Sequence, residues 1–152
     1  MDAQGIHELV NFYADREEML HRSAPEVCEN IRDYVIAETD GEIVACCGLH
    51  VNLDSLAEIK SLAVSEQFQG QGIGSQLVER CLEEAIQLGV PTIFALTYRP
   101  AFFERLGFTR APKSMLPRKV WGECIRCPRF PDCGEIAVVK DLYPGSARLL
   151  HL

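Results

Sequence analysis

Three glycines at alternate positions, between an apolar strand and an amphipathic helix, constrain this chain more than any other feature. Residues 57–64 (AEIKSLAV) are typical of a strand, and the glycine loop that follows leads into a helix starting at Ile73. Gly70, Gly72 and Gly74 leave backbone N–H groups uncovered where a helix N-terminus already favours negative charge. The pattern predicts a loop that holds phosphate.

The same loop lacks the signatures of two common nucleotide sites. No Gly-Lys-Ser or Gly-Lys-Thr closes it, which excludes a P-loop. Its glycine spacing differs from that of the dinucleotide fingerprint, and no acidic residue ends a second strand about 20 residues further on. A glycine-rich turn without a ligand is the alternative interpretation.

Length, charge and cysteine content indicate one small protein domain. We expect the 152 residues to form a single domain over 1–152, with a cysteine-rich loop at 116–135. The net charge of −7 argues against nucleic acid as a partner.

No apolar run approaches the roughly 18 residues of a membrane span, and the first residues do not form a signal peptide. Seven cysteines without an export signal indicate a reducing compartment, so we expect a cytoplasmic protein with no membrane partner.

Periodicity and turn signals place the protein in the α/β class. Asp40-Gly41 separates two apolar segments, 34–39 and 43–51, which predicts a β-hairpin. Ser23 is a suitable N-cap for a short second helix, with Pro25 at an early position. The other predicted elements are helices at 6–14, 73–88 and 100–106, strands at 57–64 and 92–97, and a strand starting at 107–108.

Two motifs and the element order resemble the GNAT (Gcn5-related) N-acetyltransferases. Gln67-x-x-Gly70-x-Gly72 is similar to the pyrophosphate loop of that family, and Phe103-x-x-x-Gly107-Phe108 to its later turn. The resemblance implies a mixed central sheet flanked by helices. Family members usually begin with a strand before the first helix. Only five residues precede the first predicted helix here, so we expect the first strand to be truncated or missing, leaving a sheet edge exposed or filled by a partner.

The resemblance also implies acetyl-CoA as cosubstrate and no metal. Backbone groups of the strand would bind the pantetheine arm, with an N–H near Leu62 on the thioester oxygen, and the loop would bind the pyrophosphate. The residues implied for the cofactor are Leu62, Ala63, Val64, Gln69, Gly70, Gln71, Gly72, Ile73, Gly74, Ser75 and Phe103.

Two residues are predicted to move protons. Several family members have their general base in an Ala-Glu-Ile setting like that of Glu58, whose pKa burial would raise toward neutrality. A surface carboxylate paired with Lys60 or Arg99 is the alternative. Many members use a tyrosine as general acid where this chain has Phe103. Tyr98 could replace it, or the thiolate, with a pKa near the ~8.5 of cysteine, could leave without help.

A narrower resemblance points to the amino-acid acetyltransferases that make N-acetylglutamate for arginine synthesis. It is carried by the segments 56–59, 95–108, 116–121 and 124–135. The resemblance implies L-glutamate as acceptor, and its carboxylates call for Arg or Lys. The residues predicted to bind substrate are Arg22, Arg99, Arg118 and Lys119. A different amine acceptor (a polyamine, an antibiotic or a protein N-terminus) and a non-catalytic acyl-CoA-sensing or metal-binding module are the alternatives. A homodimer is possible.

The C-terminal cysteines allow three interpretations. The first is a structural zinc site, to which Cys124, Cys127 and Cys133 would supply three of the four ligands that such a site requires. A disulfide or redox role and plain thiols in a compact loop are the alternatives. Cys46, Cys47 and Cys81 fall in strand or helix positions and are interpreted as small apolar core residues.

Overall fold

The computed structural model describes residues 2–53, 55–116 and 135–142, without the side chain of Met115. Its helices are α1 (Ala3–Ala14), α2 (Ala24–Glu29), α3 (Ile73–Leu88) and α4 (Pro100–Glu104). Its strands are β1 (Tyr34–Thr39), β2 (Glu42–Leu53), β3 (Leu56–Val64), β4 (Thr92–Thr97), β5 (Thr109–Ala111) and β6 (Ile136–Asp141). Within these described residues, no helix is both long and apolar enough to cross a membrane.

The strands form one mixed sheet in the order β1-β2-β3-β4-β6-β5. β1 and β2 are antiparallel, β3 and β4 are parallel, and β6 runs antiparallel to both β4 and β5. The predicted mixed sheet with flanking helices is confirmed. Among the described residues no strand precedes α1, and β1 is an edge strand of the sheet.

The described residues divide into two compact units. The first contains the residues up to His50 together with Ile59–Glu84, and the second contains Val51–Glu58 together with the residues from Ala85 onward. The prediction of a single domain over 1–152 stays a prediction.

In the first unit, α1 buries one face because its apolar residues recur every three or four positions. Ile6 and Val10 on that face pack in one apolar cluster with Val27 of α2 and Cys46 of β2. The Ser23 hydroxyl accepts the backbone N–H of Glu26 at 3.2 Å, so the predicted N-cap of α2 is confirmed.

In the second unit, β4 is paired along its whole length with β6, from Thr92 opposite Asp141 to Thr97 opposite Ile136. Strand β6 is absent from the sequence prediction. Phe94, with no exposed surface, packs in a cluster with Leu56 and other apolar side chains of this unit.

A lysine side chain of β6 binds the backbone just after the end of α4. The Lys140 ammonium of β6 donates to the Leu106 carbonyl at 2.7 Å, where a cation complements the negative end of a helix. Gly107 follows at φ +92°, and a Cβ built there would lie 2.6 Å from Lys140 Nζ. The left-handed backbone at 107 therefore favours glycine, and the end of the lysine side chain lies in the space beside it.

The predicted β1–β2 hairpin is confirmed, and its turn explains why. Asp40 and Gly41 have φ angles of 51° and 80°, as a two-residue hairpin turn of the primed type requires. Tyr34 pairs with Gly48 across the hairpin, and a Cβ built on Gly48 would lie 3.2 Å from the Lys60 carbonyl oxygen. Glycine at this position therefore allows the backbone of Lys60 in β3 to lie close to β2.

Three cysteines are core residues, as predicted. Cys46, Cys47 and Cys81 have no exposed surface, and the Cys47 and Cys81 sulfur atoms lie 3.7 Å apart. Burial raises the pKa of Cys46 from 9.0 to about 12, against a backbone hydrogen bond at Ala63 that lowers it. The thiol therefore stays protonated in the folded protein at pH values where it ionises in the unfolded chain.

This difference predicts an alkaline loss of stability. The Cys46 contribution is complete below about pH 9 and is lost as the pH rises toward the folded-state pKa. We expect the stability difference between wild type and Cys46→Ala, measured by urea unfolding, to shrink by about 1 kcal/mol between pH 9 and pH 10. The comparison cancels the other groups that titrate in this range. A difference that stays constant with pH would contradict the prediction.

Candidate active site

The glycine loop lies between β3 and α3 in the first unit. A short 3-10 segment, Glu66–Phe68, leads into it, and Gly70 and Gly72 have φ angles of +79° and +82°. Helical bonding begins with Gln76 N–H to the Gly72 carbonyl at 3.1 Å, so the preceding N–H groups have no acceptor within the helix. A Cβ added at either glycine would meet no atom within 4 Å. One side of the loop is thus open for an anion.

Side chains hold this loop to the end of β3. The Gln69 amide donates to the Tyr13 hydroxyl oxygen at 2.8 Å and to the Val64 carbonyl at 3.1 Å. The Tyr13 hydroxyl itself donates to the Val64 carbonyl. The Gln69 side chain therefore bonds to the protein beside the loop.

Ser61 interrupts the regular geometry of β3 with a φ of 55°, which is uncommon for a residue other than glycine. Its carbonyl accepts the Cys46 thiol at 3.3 Å, and its side chain is hydrogen-bonded to Tyr34. Burial raises the pKa of Tyr34, while the bond to Ser61 and the nearby charge of Arg22 lower it by less. Tyr34 therefore presents a protonated hydroxyl within electrostatic reach of Arg22.

Arg22 is one of two buried charged residues in the described part of the chain, with 9% of its surface exposed. Asn11 of α1 fixes its backbone twice: the amide donates to the Arg22 carbonyl at 2.8 Å and its oxygen accepts the Arg22 N–H at 3.0 Å. The guanidinium lies 3.9 Å from the half-exposed Glu26 carboxylate. The structure thus places a predicted substrate residue in a buried, positively charged position.

Glu58 is the other buried charged residue, at 8% exposed. In the second unit it ends the parallel pairing of β3 with β4, opposite Phe94. Ala57, its neighbour, and Phe94 are completely buried. Glu58 is therefore a buried residue and not a surface one, and its role as general base stays a prediction.

The remaining predicted residues of the second unit have different surroundings. Tyr98 is half-buried directly after β4, and Arg99 is exposed at the N-terminus of α4, its N–H donating to the Thr97 hydroxyl at 2.8 Å. Phe103 is 5% exposed and makes edge-to-face contacts with Phe102 and Phe108. Phe103 therefore belongs to an aromatic cluster.

The other predicted cofactor residues follow the chain through the loop. Leu62 is half-buried and Ala63 fully buried in β3. Gln71 lies in the loop, and the first turn of α3 contains Ile73, Gly74 and Ser75. Arg118 and Lys119 lie outside the described residues, as do Cys124, Cys127 and Cys133. Among described residues no group of three or more His, Cys, Asp or Glu side chains could hold a metal ion.

Four residues of the first unit that lie near the candidate site residues were not predicted from the sequence. Asn11 and Tyr13 are polar positions on an otherwise apolar helix face, which is a detectable signal. Tyr34 and Ser61 show no local pattern, because their significance depends on which strands and helices surround them.

A mixed sheet flanked by helices, with an open glycine loop at a helix N-terminus, defines a protein suited to bind a phosphorylated ligand. A family model of the GNAT acetyltransferases matches residues 5–108, and the chain belongs to this family. It is thus an acetyl-CoA-dependent N-acetyltransferase.

Similar proteins support the family assignment. An uncharacterized N-acetyltransferase of Chlorobaculum tepidum is 40% identical over 93% of this chain and 91% of its own length. An amino-acid acetyltransferase of Mycobacterium tuberculosis is 31% identical over 98% of this chain and 88% of its own. The solved N-acetylglutamate synthase of Neisseria gonorrhoeae, complexed with coenzyme A and N-acetylglutamate, matches 93% of this chain with a TM-score of 0.83 and 27% identity. The match covers 33% of that synthase chain.

Proposed function

We propose that this protein transfers the acetyl group of acetyl-CoA to the α-amine of an amino acid, with L-glutamate as the preferred acceptor. The reaction would be the first step of arginine biosynthesis, carried out in the cytoplasm by a single domain. The observation that carries the proposal is the buried Arg22, whose charge is near enough to Tyr34 to lower the pKa of that hydroxyl. The names of the Mycobacterium and Neisseria relatives support it.

A buried guanidinium favours an acceptor with a carboxylate. Arg22 holds a permanent positive charge in a position where 9% of the residue is exposed, so an anionic group of an acceptor would meet it with little screening by water. A substrate carboxylate could accept two parallel N–H bonds from Arg22 and one O–H bond from Tyr34. A polyamine would bring a second positive charge into the same place. Arg99, Arg118 and Lys119 are assigned to the second carboxylate.

The glycine loop is assigned to the pyrophosphate of the cofactor. Its open side and the N–H groups of the first turn of α3 supply donors and space. Gly70, Gln71 and Gly72 would bind through their backbone, together with Ile73, Gly74 and Ser75. Since the Val64 carbonyl already accepts two side chains, the pantetheine arm is assigned to the other backbone groups of Leu62, Ala63 and Val64. An N–H near Leu62 would stabilise the oxyanion, and Phe103 would border the cofactor.

Glu58 is assigned as the proton acceptor. An amino acid reaches the enzyme as an ammonium ion, which must lose a proton before its nitrogen can attack the thioester. A carboxylate 8% exposed can take that proton with little competition from water. Tyr98 is assigned as the donor that protonates the leaving thiolate.

An acetyl-CoA-dependent thiol-release assay tests the proposed acceptor. We expect turnover with L-glutamate to exceed turnover with other common amino acids and with polyamines. Turnover confined to other amines would overturn the acceptor assignment. Coenzyme A binding without turnover on any acceptor would favour the acyl-CoA-sensing alternative. Size-exclusion chromatography of the same sample checks the proposed homodimer.

A glycine substitution tests the pyrophosphate loop. Gly72→Ala places a methyl group on the open side of the loop, where the anion is assigned. We expect the KM for acetyl-CoA to rise about tenfold or more, with the KM for the amino acid nearly unchanged.

Gly41→Ala is the matched control for this change. Gly41 has a similar φ, +80° against +82°, and also no atom within 4 Å of an added Cβ. Both variants therefore carry the same backbone strain, about 1 kcal/mol, and only Gly72→Ala should weaken cofactor binding. Equal KM values for acetyl-CoA in the two variants would show that the loop is not part of the cofactor site.

A further inference from the structure

The carbonyl of Val64 is the meeting point of a hydrogen-bonded triangle. Gln69 Nε2 donates to this carbonyl at 3.1 Å and to the Tyr13 hydroxyl at 2.8 Å, and Tyr13 donates to the same carbonyl. The triangle joins the end of α1 to two parts of the first unit that are far from it in sequence but close to each other. These are the end of β3 and the residue immediately before Gly70.

We propose that Tyr13 and Gln69 are positioning residues that hold the glycine loop in its anion-binding conformation. The proposal rests on the proposed cofactor role of that loop. Neither side chain is assigned a contact with the reacting atoms, and both act through the backbone of residues 70–72.

Tyr13 is a rigid anchor for such a contact. It is 7% exposed, belongs to the apolar cluster of the first unit, and makes an edge-to-face contact with Phe12 at a centroid distance of 5.0 Å. Burial in a packed core restricts its ring to one position. Its hydroxyl oxygen is therefore a fixed acceptor for Gln69.

The loop needs such an anchor because its glycines have the widest conformational choice of any residue. Gly70 follows Gln69 directly, and both Gly70 and Gly72 are held at positive φ. A cofactor that has to order a mobile loop loses part of its binding free energy. Fixing Gln69 at two points orders the entrance of the loop before the cofactor arrives.

Loss of the Tyr13 hydroxyl should weaken cofactor binding without slowing the chemical step. Tyr13→Phe keeps the buried ring and removes both hydrogen bonds of the hydroxyl. We expect the KM for acetyl-CoA, and the Kd for coenzyme A measured by calorimetry, to rise about tenfold. We expect kcat and the KM for the amino acid to stay within about twofold. Gln69→Leu should have the same effect.

The double variant shows whether Tyr13 and Gln69 act together on the loop or contribute independently to cofactor binding. Because the two side chains form one triangle, Tyr13→Phe with Gln69→Leu should raise the KM for acetyl-CoA about tenfold to thirtyfold, well short of the roughly hundredfold product of the single changes. Gln87→Leu, an exposed glutamine replaced on α3, is the control and should bind coenzyme A like wild type.

Each outcome bears on one of the two proposals. Wild-type protein that does not bind coenzyme A would overturn the proposed cofactor site itself. Wild-type binding together with unchanged coenzyme A affinity in Tyr13→Phe, in a variant that melts cooperatively, would overturn the positioning role and leave the cofactor site intact. A lower melting temperature with unchanged kinetics, or a fall in kcat as large as the rise in KM, would also overturn it.

Discussion

Glu58→Gln should reduce kcat about a hundredfold while the KM for acetyl-CoA changes less than about twofold. The amide has the shape of the carboxyl and cannot accept the proton of the acceptor ammonium, and general-base catalysis typically contributes 10²- to 10⁴-fold. The side chain is 8% exposed, so bulk water is poorly placed to replace it. Steady-state thiol release at saturating acetyl-CoA measures the effect.

Glu66→Gln is the control for this experiment. Glu66 is an exposed carboxylate that follows the same strand, and its loss removes one charge without touching a buried group. The acidic limb of the pH profile of kcat/KM should disappear in Glu58→Gln and persist in Glu66→Gln. A Glu58→Gln enzyme that keeps more than half of the wild-type kcat would exclude Glu58 as the base.

Arg22→Met should raise the KM for L-glutamate about a hundredfold. Hydrogen bonds to a charged group contribute about 1.5–3 kcal/mol, and about 2.7 kcal/mol corresponds to a hundredfold change in affinity. Methionine keeps much of the buried length, and Glu26 is exposed enough to remain hydrated alone. Arg22→Lys keeps the charge without the planar pair of donors, so its KM should rise about tenfold.

The acceptor itself supplies a second test of Arg22. Glutamine and glutamate α-amide each lack one carboxylate. If the KM for one of these amides is the same in wild type and Arg22→Met, then Arg22 binds the carboxylate that this amide lacks. Arg32→Met, at an exposed arginine, should leave every KM near its wild-type value. If Arg22→Met raised the KM for acetyl-CoA and the KM for glutamate equally, Arg22 would support the fold and would not bind the acceptor.

Local patterns accounted for most of the fold. Helix α3 has the predicted bounds, since an amphipathic repeat runs unbroken between the glycine loop and Gly89 at φ +80°. The hairpin was predictable because Asp40-Gly41 suits its turn. Strand β6 was not predicted, since Ile136–Asp141 follows a cysteine-rich segment and carries no turn signal of its own.

Residues of the candidate site could be predicted only where a local motif carries the chemistry. The glycine loop is such a motif, and Glu58 is proposed from its sequence neighbours. The positive φ of Ser61 was not predictable, because serine does not by itself favour it and the contacts of Ser61 are with Cys46 and Tyr34 on other strands. The burial of Arg22 depends on the packing of α1 and α2, which no short window of sequence contains.

The backbone of Gly107 has an evolutionary consequence. The Lys140 ammonium lies in the space beside it, but that atom is the end of a flexible side chain and can move aside at little cost. A side chain at 107 would still be strained by the left-handed backbone, whichever residue stands at 140. Descendants of this sequence should therefore keep the glycine at 107 even where position 140 has changed.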